Sequence, residues 1–260
     1  KGIQFPKSSN HISYLVARNL KYVWEEKKLY FKGIRKIVSF TIPMLRRFDV
    51  RKAKKPTKII AVSNFVSDWA TKKYHRKVVT INPPVNIKEF EFQEEKEDFY
   101  VSVGRLEPYK RYDLLIDAFN NNGKKLIIIG NGSLKKELEQ KAKKNIEFKG
   151  YLFSKKSKKY LKSAKAFVFC GREDFGIALL EAQVCGTPVI TYRAGGALDS
   201  VNENITGVFF NDQTVQSLNK AILNFEKMKF NSKEIRKHSL KFSIEKFKES
   251  FNKIISEENF

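Results

Sequence analysis

The stretch GREDFGIALLEAQVCGTPVI, residues 171–190, sets carboxylates around an apolar run, Glu173 and Asp174 before it and Glu181 after it. It does so in a chain whose 51 Lys and Arg outnumber 28 Asp and Glu, for a formal net charge of +23. Gly176 allows the backbone to turn into a helix, and the free N–H groups and dipole at a helix start can face an anion. Glu181 falls about one and a half turns inside that helix, among Ala178, Leu179, Leu180 and Ala182. A carboxylate in such company is costly unless partnered. Two readings stand here: Glu181 reaches solvent or an Arg while Glu173 merely caps, or both carboxylates face a ligand.

On either side, short apolar runs alternate with helical stretches. FYVSVG (99–104), KLIIIG (125–130), IEFKG (146–150), AFVFC (166–170) and TPVITY (187–192) read as strands. Continuous β-branched and aromatic runs with helices between them predict an α/β fold with a parallel sheet covered on both faces. Val215, Leu218, Ile222 and Phe225 recur at helical spacing, as do Ile244, Phe247, Phe251 and Ile254. Before residue 95, HISYLV, KIIAVS and KVVTI are strand candidates, and the first two are separated by a strongly basic helical stretch. INPPVNIKEFEFQEEKED (81–98) reads as a linker, with two prolines followed by charged residues.

The 260 residues are 42% hydrophobic and 13% aromatic, a globular composition with a sizeable core. The basic surplus favours anionic partners. The cations are spread rather than banded, which argues against nucleic acid. Cys170 and Cys185 sit in apolar settings without a CxxC or a His/Cys cluster. They read as core residues of a reducing compartment, and no metal site is expected. No apolar run reaches the ~18–20 residues that span a bilayer.

Ligands of open α/β sheets bind beyond the carboxyl ends of the strands. Besides the opening stretch, two segments fall there. In VGRLEPYKR, Gly104 lets the backbone turn, Arg105 offers a bidentate fork and Lys110 a mobile charge for phosphate, although a solvated basic loop would look the same. In IIGNGSL, Gly130 and Gly132 open into a helix, a weak nucleotide-turn signal without a third glycine.

Taken together the chain resembles the retaining nucleotide-sugar glycosyltransferases of family 4, which have the GT-B fold. AVSNFVSDWATKKY, VVTINPPV, VSVGRLEPYKRYDLLIDAFN, LIIIGNGSL, IEFKGYL, EDFGIALLEAQVCGTPVI and GGALDSV…TGVFF occur in family order. The phrasing is similar to the mannosyltransferase branch that builds lipid-linked surface polysaccharides. The resemblance implies a partial amino-terminal, acceptor-side domain (1–90), a Rossmann-like nucleotide-sugar domain (91–242) and a carboxy-terminal helix (243–260) packing back on the first. It implies that Glu173 binds hydroxyls of the donor sugar and that the amides near Phe175, Gly176 and Ile177 hold sugar and diphosphate. Arg105 and Lys110, beside Gly104 and Gly130, would take the diphosphate, Glu181 the ribose, and Tyr151 and Leu152 the base. Glu173 and Glu181 are then separated by roughly 10 Å or somewhat more, the order of a sugar–diphosphate–ribose.

The implied reaction is hexose transfer, with mannose from GDP-mannose as the expected donor, to a glycan or lipid-linked acceptor. No metal or other cofactor is expected. The implied setting is cytoplasmic, with peripheral contact at an anionic membrane face. The alternative is a non-catalytic nucleotide-sugar-binding remnant or partner subunit. Two departures from the family pattern bear on this. The family's glycine-rich amino-terminal loop has no counterpart, so this chain is expected to bind donor but transfer poorly. YLVARNLKYVW keeps Tyr22 and Trp24, with Lys21 for an Arg, but lacks the family's His-Thr-Pro segment, and His11 falls too early to replace it.

Overall fold

A computed structural model describes residues 11–18, 24, 41–152 and 154–257. The chain forms two compact units, one comprising 1–82 with 249–260 and the other 83–248. Lys21 and Tyr22 lie outside the described residues.

The first unit holds a three-stranded parallel sheet in the order β1 (Ile12–Leu15), β2 (Lys58–Ala61), β3 (Val78–Thr80). Helices α1 (Ile42–Ala53) and α2 (Asn64–Tyr74) belong to it. Ser63 starts α2 by accepting the Val66 N–H on its hydroxyl at 3.1 Å, which satisfies one of the free donors of the first turn. Trp69 sits edge-on to both Trp24 and Tyr74, with centroids 6.3 and 5.5 Å away. The buried Asp49 carboxylate accepts from Trp24 Nε1 at 2.8 Å and Tyr74 OH at 3.1 Å, so its desolvation is offset by two donors. Trp24 therefore serves the packing of this unit. His11 immediately precedes β1, its N–H bonded to Thr57 Oγ1.

The second unit is built on a six-stranded sheet. Its strands are β4 (Glu97–Val103), β5 (Leu126–Ile129), β6 (Ile146–Gly150), β7 (Ala164–Phe169), β8 (Val189–Tyr192) and β9 (Gly207–Phe210). All pair in parallel, in the order β6-β5-β4-β7-β8-β9. The connecting helices are α3 (Tyr112–Asn122), α4 (Lys135–Lys141), α5 (Ser154–Ser163), α6 (Ile177–Val184) and the short α7 (Ala197–Ser200). After β9 come α8 (Val215–Glu226), α9 (Ser232–Ser239) and α10 (Ile244–Glu257). The strands are apolar along their length because both faces are covered: Tyr100, Val101, Ile128, Phe167, Val168 and Ile190 are all buried. Tyr100 packs edge-on against Phe119 and Phe225, which draws α3 and α8 onto one face. Truncating a ring as buried as Phe119 costs about 3–5 kcal/mol.

Two sequence expectations change here. Residues 83–96 are not a free linker. Val85 and Phe90 are buried, and Gln93 N–H bonds Cys185 O at 3.3 Å. The apolar side chains turn inward despite the prolines and charges around them, so the compact units divide after Asn82 rather than after Phe90. The final helix α10 crosses the other division: residues through Lys248 group with the second unit and those from Glu249 with the first. Where the second unit begins and ends, the chain is stitched to itself. Val85 N–H bonds Phe242 O at 2.9 Å, and Val85 bridges Ser243.

Candidate active site

The strand order reverses between β4 and β7. From β4 the chain moves outward through β5 to β6, and from β7 it moves the other way to β9. The loops leaving these two neighbours must diverge and open a crevice, the usual ligand position in such sheets. The β4 loop carries Gly104, Arg105 and Lys110, and the β7 loop carries Glu173, Phe175 and Gly176.

Lys110 and Glu173 meet across this crevice, Nζ to Oε1, at 2.5 Å. Their side chains are 16% and 25% exposed, so the pair is sheltered yet reachable. Lys110 Nζ also lies 5.3 Å from the Phe169 ring centroid and 5.7 Å from that of Tyr109. A second tie runs parallel to it. Arg111 holds the left-handed conformation (φ 56°), forks onto Asp113 and reaches Gln213 Oε1 at 3.4 Å. Gln213 in turn donates to Cys170 O at 2.7 Å. Arg105 is exposed, and its Nη2 donates to Tyr109 OH at 3.0 Å. It pairs with no carboxylate among the described residues.

Close glycine contacts hold the loops. A Cβ on Gly130 would lie 1.9 Å from Gly104 O, so the turns after β4 and β5 touch backbone to backbone. Gly176 has φ 90° and ψ 58° and opens α6, a conformation that favours glycine. Gly195 (φ 70°) and Gly196 grip the β7 loop. Gly196 N–H donates to Glu173 O at 3.0 Å, and a Cβ on Gly195 would sit 2.2 Å from that same oxygen. Both fall inside GGALDSV, where nothing local in the sequence marks this close approach to the β7 loop.

Glu181 and Ile177 line a cavity of about 260 Å³, together with Val85, Asn86, Glu89, Phe90, Val103, Ser157 and Lys158. Among the described residues no donor bonds the Glu181 carboxylate. Burial pushes its carboxyl pKa above the ordinary range; the charge of Lys158 pulls it back, and Glu89 adds to the rise. Lys158 bonds Glu89 Oε2 at 2.8 Å and stands 4.4 Å from the Phe90 ring centroid. Neither Lys158 nor Glu89 was anticipated: one lies in a lysine-rich helix, the other in the supposed linker. Tyr151 is 69% exposed, Leu152 is half-buried, and neither lines this cavity. Phe175 is buried against Phe242, with centroids 6.1 Å apart, so only its backbone remains to serve a ligand. Gln183 and His238 brace α6 from behind: Gln183 Nε2 donates to Ser200 O, and His238 Nδ1 lies 3.2 Å from Gln183 Oε1. Among the described residues no cluster of three or more His, Cys, Asp or Glu is placed to hold a metal ion.

Two units, each with a parallel sheet, define the GT-B fold. The structure aligns with that of Anabaena HepE in complex with UDP and glucose at a TM-score of 0.74, over 94% of this chain and 71% of that one, with 17% identity. The family model for glycosyl transferases group 1 matches residues 85–242, and the chain belongs to that family. It is 29% identical over 213 residues to an uncharacterized glycosyltransferase of Methanocaldococcus jannaschii, covering 77% of this chain and 59% of the relative. It is 35% identical over 107 residues to a GDP-mannose-dependent alpha-mannosyltransferase of Corynebacterium glutamicum, covering 41% and 26%. The chain thus spans about three fifths of the first relative's length.

Proposed function

We propose that the chain carries the donor site of a retaining hexosyltransferase that uses a nucleotide-sugar, with GDP-mannose the favoured donor. The observation that carries the reading is the Lys110–Glu173 pair, which sets a cation and a carboxylate at the reversal point of the sheet. In this reading Glu173 binds hydroxyls of the hexose. Arg105, Lys110 and the amides at Phe175, Gly176 and Ile177 hold the diphosphate. Glu181, whose carboxylate no donor bonds among the described residues, takes the ribose hydroxyls, and Tyr151 and Leu152 take the base.

The bond between the anomeric carbon and the diphosphate oxygen breaks, and positive charge spreads over the ring carbon and ring oxygen. The departing diphosphate gains negative charge, which Arg105, Lys110 and the amino end of α6 stabilise. The acceptor hydroxyl attacks on the face the diphosphate leaves and gives its proton to the departing diphosphate oxygen, so configuration is retained. The cationic groups do this without a divalent metal. The GDP-mannose dependence of the Corynebacterium relative supports mannose, and the UDP and glucose bound by HepE support a nucleotide-sugar donor in general. The acceptor is a glycan or lipid-linked saccharide of surface polysaccharide assembly, met on the cytoplasmic side at an anionic membrane face.

Calorimetric titration with UDP, GDP and ADP, each free and as its sugar conjugate, tests the reading. Selective binding of GDP and GDP-mannose supports it, and no binding of any nucleotide overturns it.

A further inference from the structure

We propose that Arg111 is a positioning residue for Lys110, acting through Gln213 to hold that lysine against the β7 loop. The inference rests on the reading that Lys110 takes the diphosphate of the donor. Arg111 stands where the short helical turn Pro108–Lys110 ends and α3 begins. The backbone passes there through the left-handed region, at φ 56° and ψ 42°. Glycine takes that conformation freely, and a residue with a Cβ takes it at a cost. An arginine at such a point offsets that cost only through its side chain.

That side chain is engaged at all three nitrogens. Nε and Nη2 donate to Asp113 Oδ1 and Oδ2, each at 3.0 Å, and Nη1 reaches Gln213 Oε1 at 3.4 Å. The fork onto Asp113 stays within the first turn of α3 and fixes the plane of the guanidinium. The bond to Gln213 leaves that element and ties the start of α3 to the loop after β9. Gln213 Nε2 then donates to Cys170 O, just past the end of β7, at 2.7 Å.

The residue after Cys170 closes the circuit. A Cβ on Gly171 would lie 2.9 Å from Lys110 Cα and 2.9 Å from Tyr109 O, so the β7 loop lies against the backbone of Lys110 itself. Lys110, Arg111, Gln213, Cys170 and Gly171 form a closed ring of contacts, and Glu173, the partner of Lys110 Nζ, follows just past it. A lysine side chain is a long, mobile stem. Fixing its backbone to the loop that carries Glu173 limits where Nζ can stand, and a charge held in place stabilises a departing diphosphate more than one that must be brought there. Tyr112 wedges the same loop from within: it is 1% exposed, and a Cβ on Gly104 would meet its hydroxyl at 3.0 Å.

The test is calorimetric titration of the whole chain with GDP and with GMP, which differ in the phosphate that Lys110 would hold. Lys110→Met should weaken GDP roughly ten- to hundredfold and GMP less, which lowers the ratio of the two affinities. Gln213→Ala keeps every charge and the left-handed arginine, and should lower the same ratio about three- to tenfold. Arg111→Gly suits the backbone but removes the side chain, and should lower it at least as much. In a Lys110→Met background neither substitution should lower the ratio further, because both act through that lysine. Full additivity in that background, a loss confined to Arg111→Gly, or lower melting temperatures with an unchanged ratio would overturn the proposal. A Lys110→Met ratio equal to that of wild type, or no nucleotide bound at all, removes the donor reading and this inference with it. A Lys110→Met loss that neither other variant shares removes this inference alone.

Discussion

Lys110 and Glu173, sixty-three residues apart in sequence, close a 2.5 Å ion pair across the reversal point of the sheet. Each offsets the charge of the other. Under the proposed reading a donor parts them, its diphosphate taking the cation and its sugar hydroxyls the carboxylate. Substitutions at the two ends of the donor site should therefore fail differently.

Glu181→Gln should weaken free nucleotide and nucleotide-sugar by a similar factor, because ribose is common to both. A charge-assisted hydrogen bond of ~1.5–3 kcal/mol corresponds to roughly ten- to hundredfold. Glu173→Gln should spare the free nucleotide and weaken the nucleotide-sugar. The melting temperature of each variant separates lost contacts from lost structure. Equal loss of free nucleotide by both variants, or no loss by either, would show that the two roles are misassigned.

Because burial raises the Glu181 pKa, its carboxylate is lost sooner on acidification than that of an ordinary Glu. Nucleotide affinity should begin to fall at a pH above the usual carboxylate range, and Glu181→Gln should flatten that part of the profile. Calorimetry between pH 4.5 and 7.5 reads this directly, a window chosen from the reference value of about 4.3 for Glu.

Nucleotide binding should survive chelation, since Arg105, Lys110 and the start of α6 are the proposed anion holders. Titration of GDP with and without EDTA checks it, and a chelator-dependent loss would count against the arrangement.

Gly195→Ala should lower stability by about 1–3 kcal/mol from its left-handed backbone alone. Because the new methyl meets Glu173 O, it should also weaken the nucleotide-sugar more than the free nucleotide. Thermal melts alongside the two titrations distinguish this from a generic loss of stability, which would leave the ratio of the two affinities unchanged.

Glu226 anchors α8 beneath the sheet by accepting from Tyr100, Lys124 and Lys165 at 3.0, 2.6 and 3.1 Å. Burial alone would raise its pKa, but these three donors together pull it down to about 2. A carboxyl lowered in the folded state contributes stability above its unfolded pKa and loses it as pH falls through the folded one. Wild type should thus lose stability between about pH 4.5 and 2, a loss that Glu226→Gln has already suffered at pH 7. Denaturant melts at pH 7 and pH 3 should show the gap between the two proteins narrowing in acid.

The strands from 99 to 192 were legible because burial on both faces demands unbroken apolar runs, and such runs stand out in a lysine-rich chain. The carboxylates Glu173 and Glu181 were legible for the complementary reason, as charges where apolar residues prevail. Lys158 was not. It sits in SKKSKKYLKS among similar lysines, and only the docking of α5 beside α6 selects the one that meets Glu89. Val85 and Phe90 were hidden by the prolines and charges around them, and Val85 finds its partner, Phe242 O, far along the chain. The inward turn of Asp49 was likewise beyond local reading, because its donors come from two other segments.

The hydrogen bond from Val85 N–H to Phe242 O also bears on how such proteins diversify. A module whose two ends lie one hydrogen bond apart can be lifted from one gene and grafted into another without stretching either junction. Chimeras that trade sugar preference between relatives are best spliced ahead of Pro83 and beyond Ser243. A cut at residue 90 would strip the exchanged piece of Val85, Asn86 and Glu89, and with them one wall of the cavity that Glu181 lines.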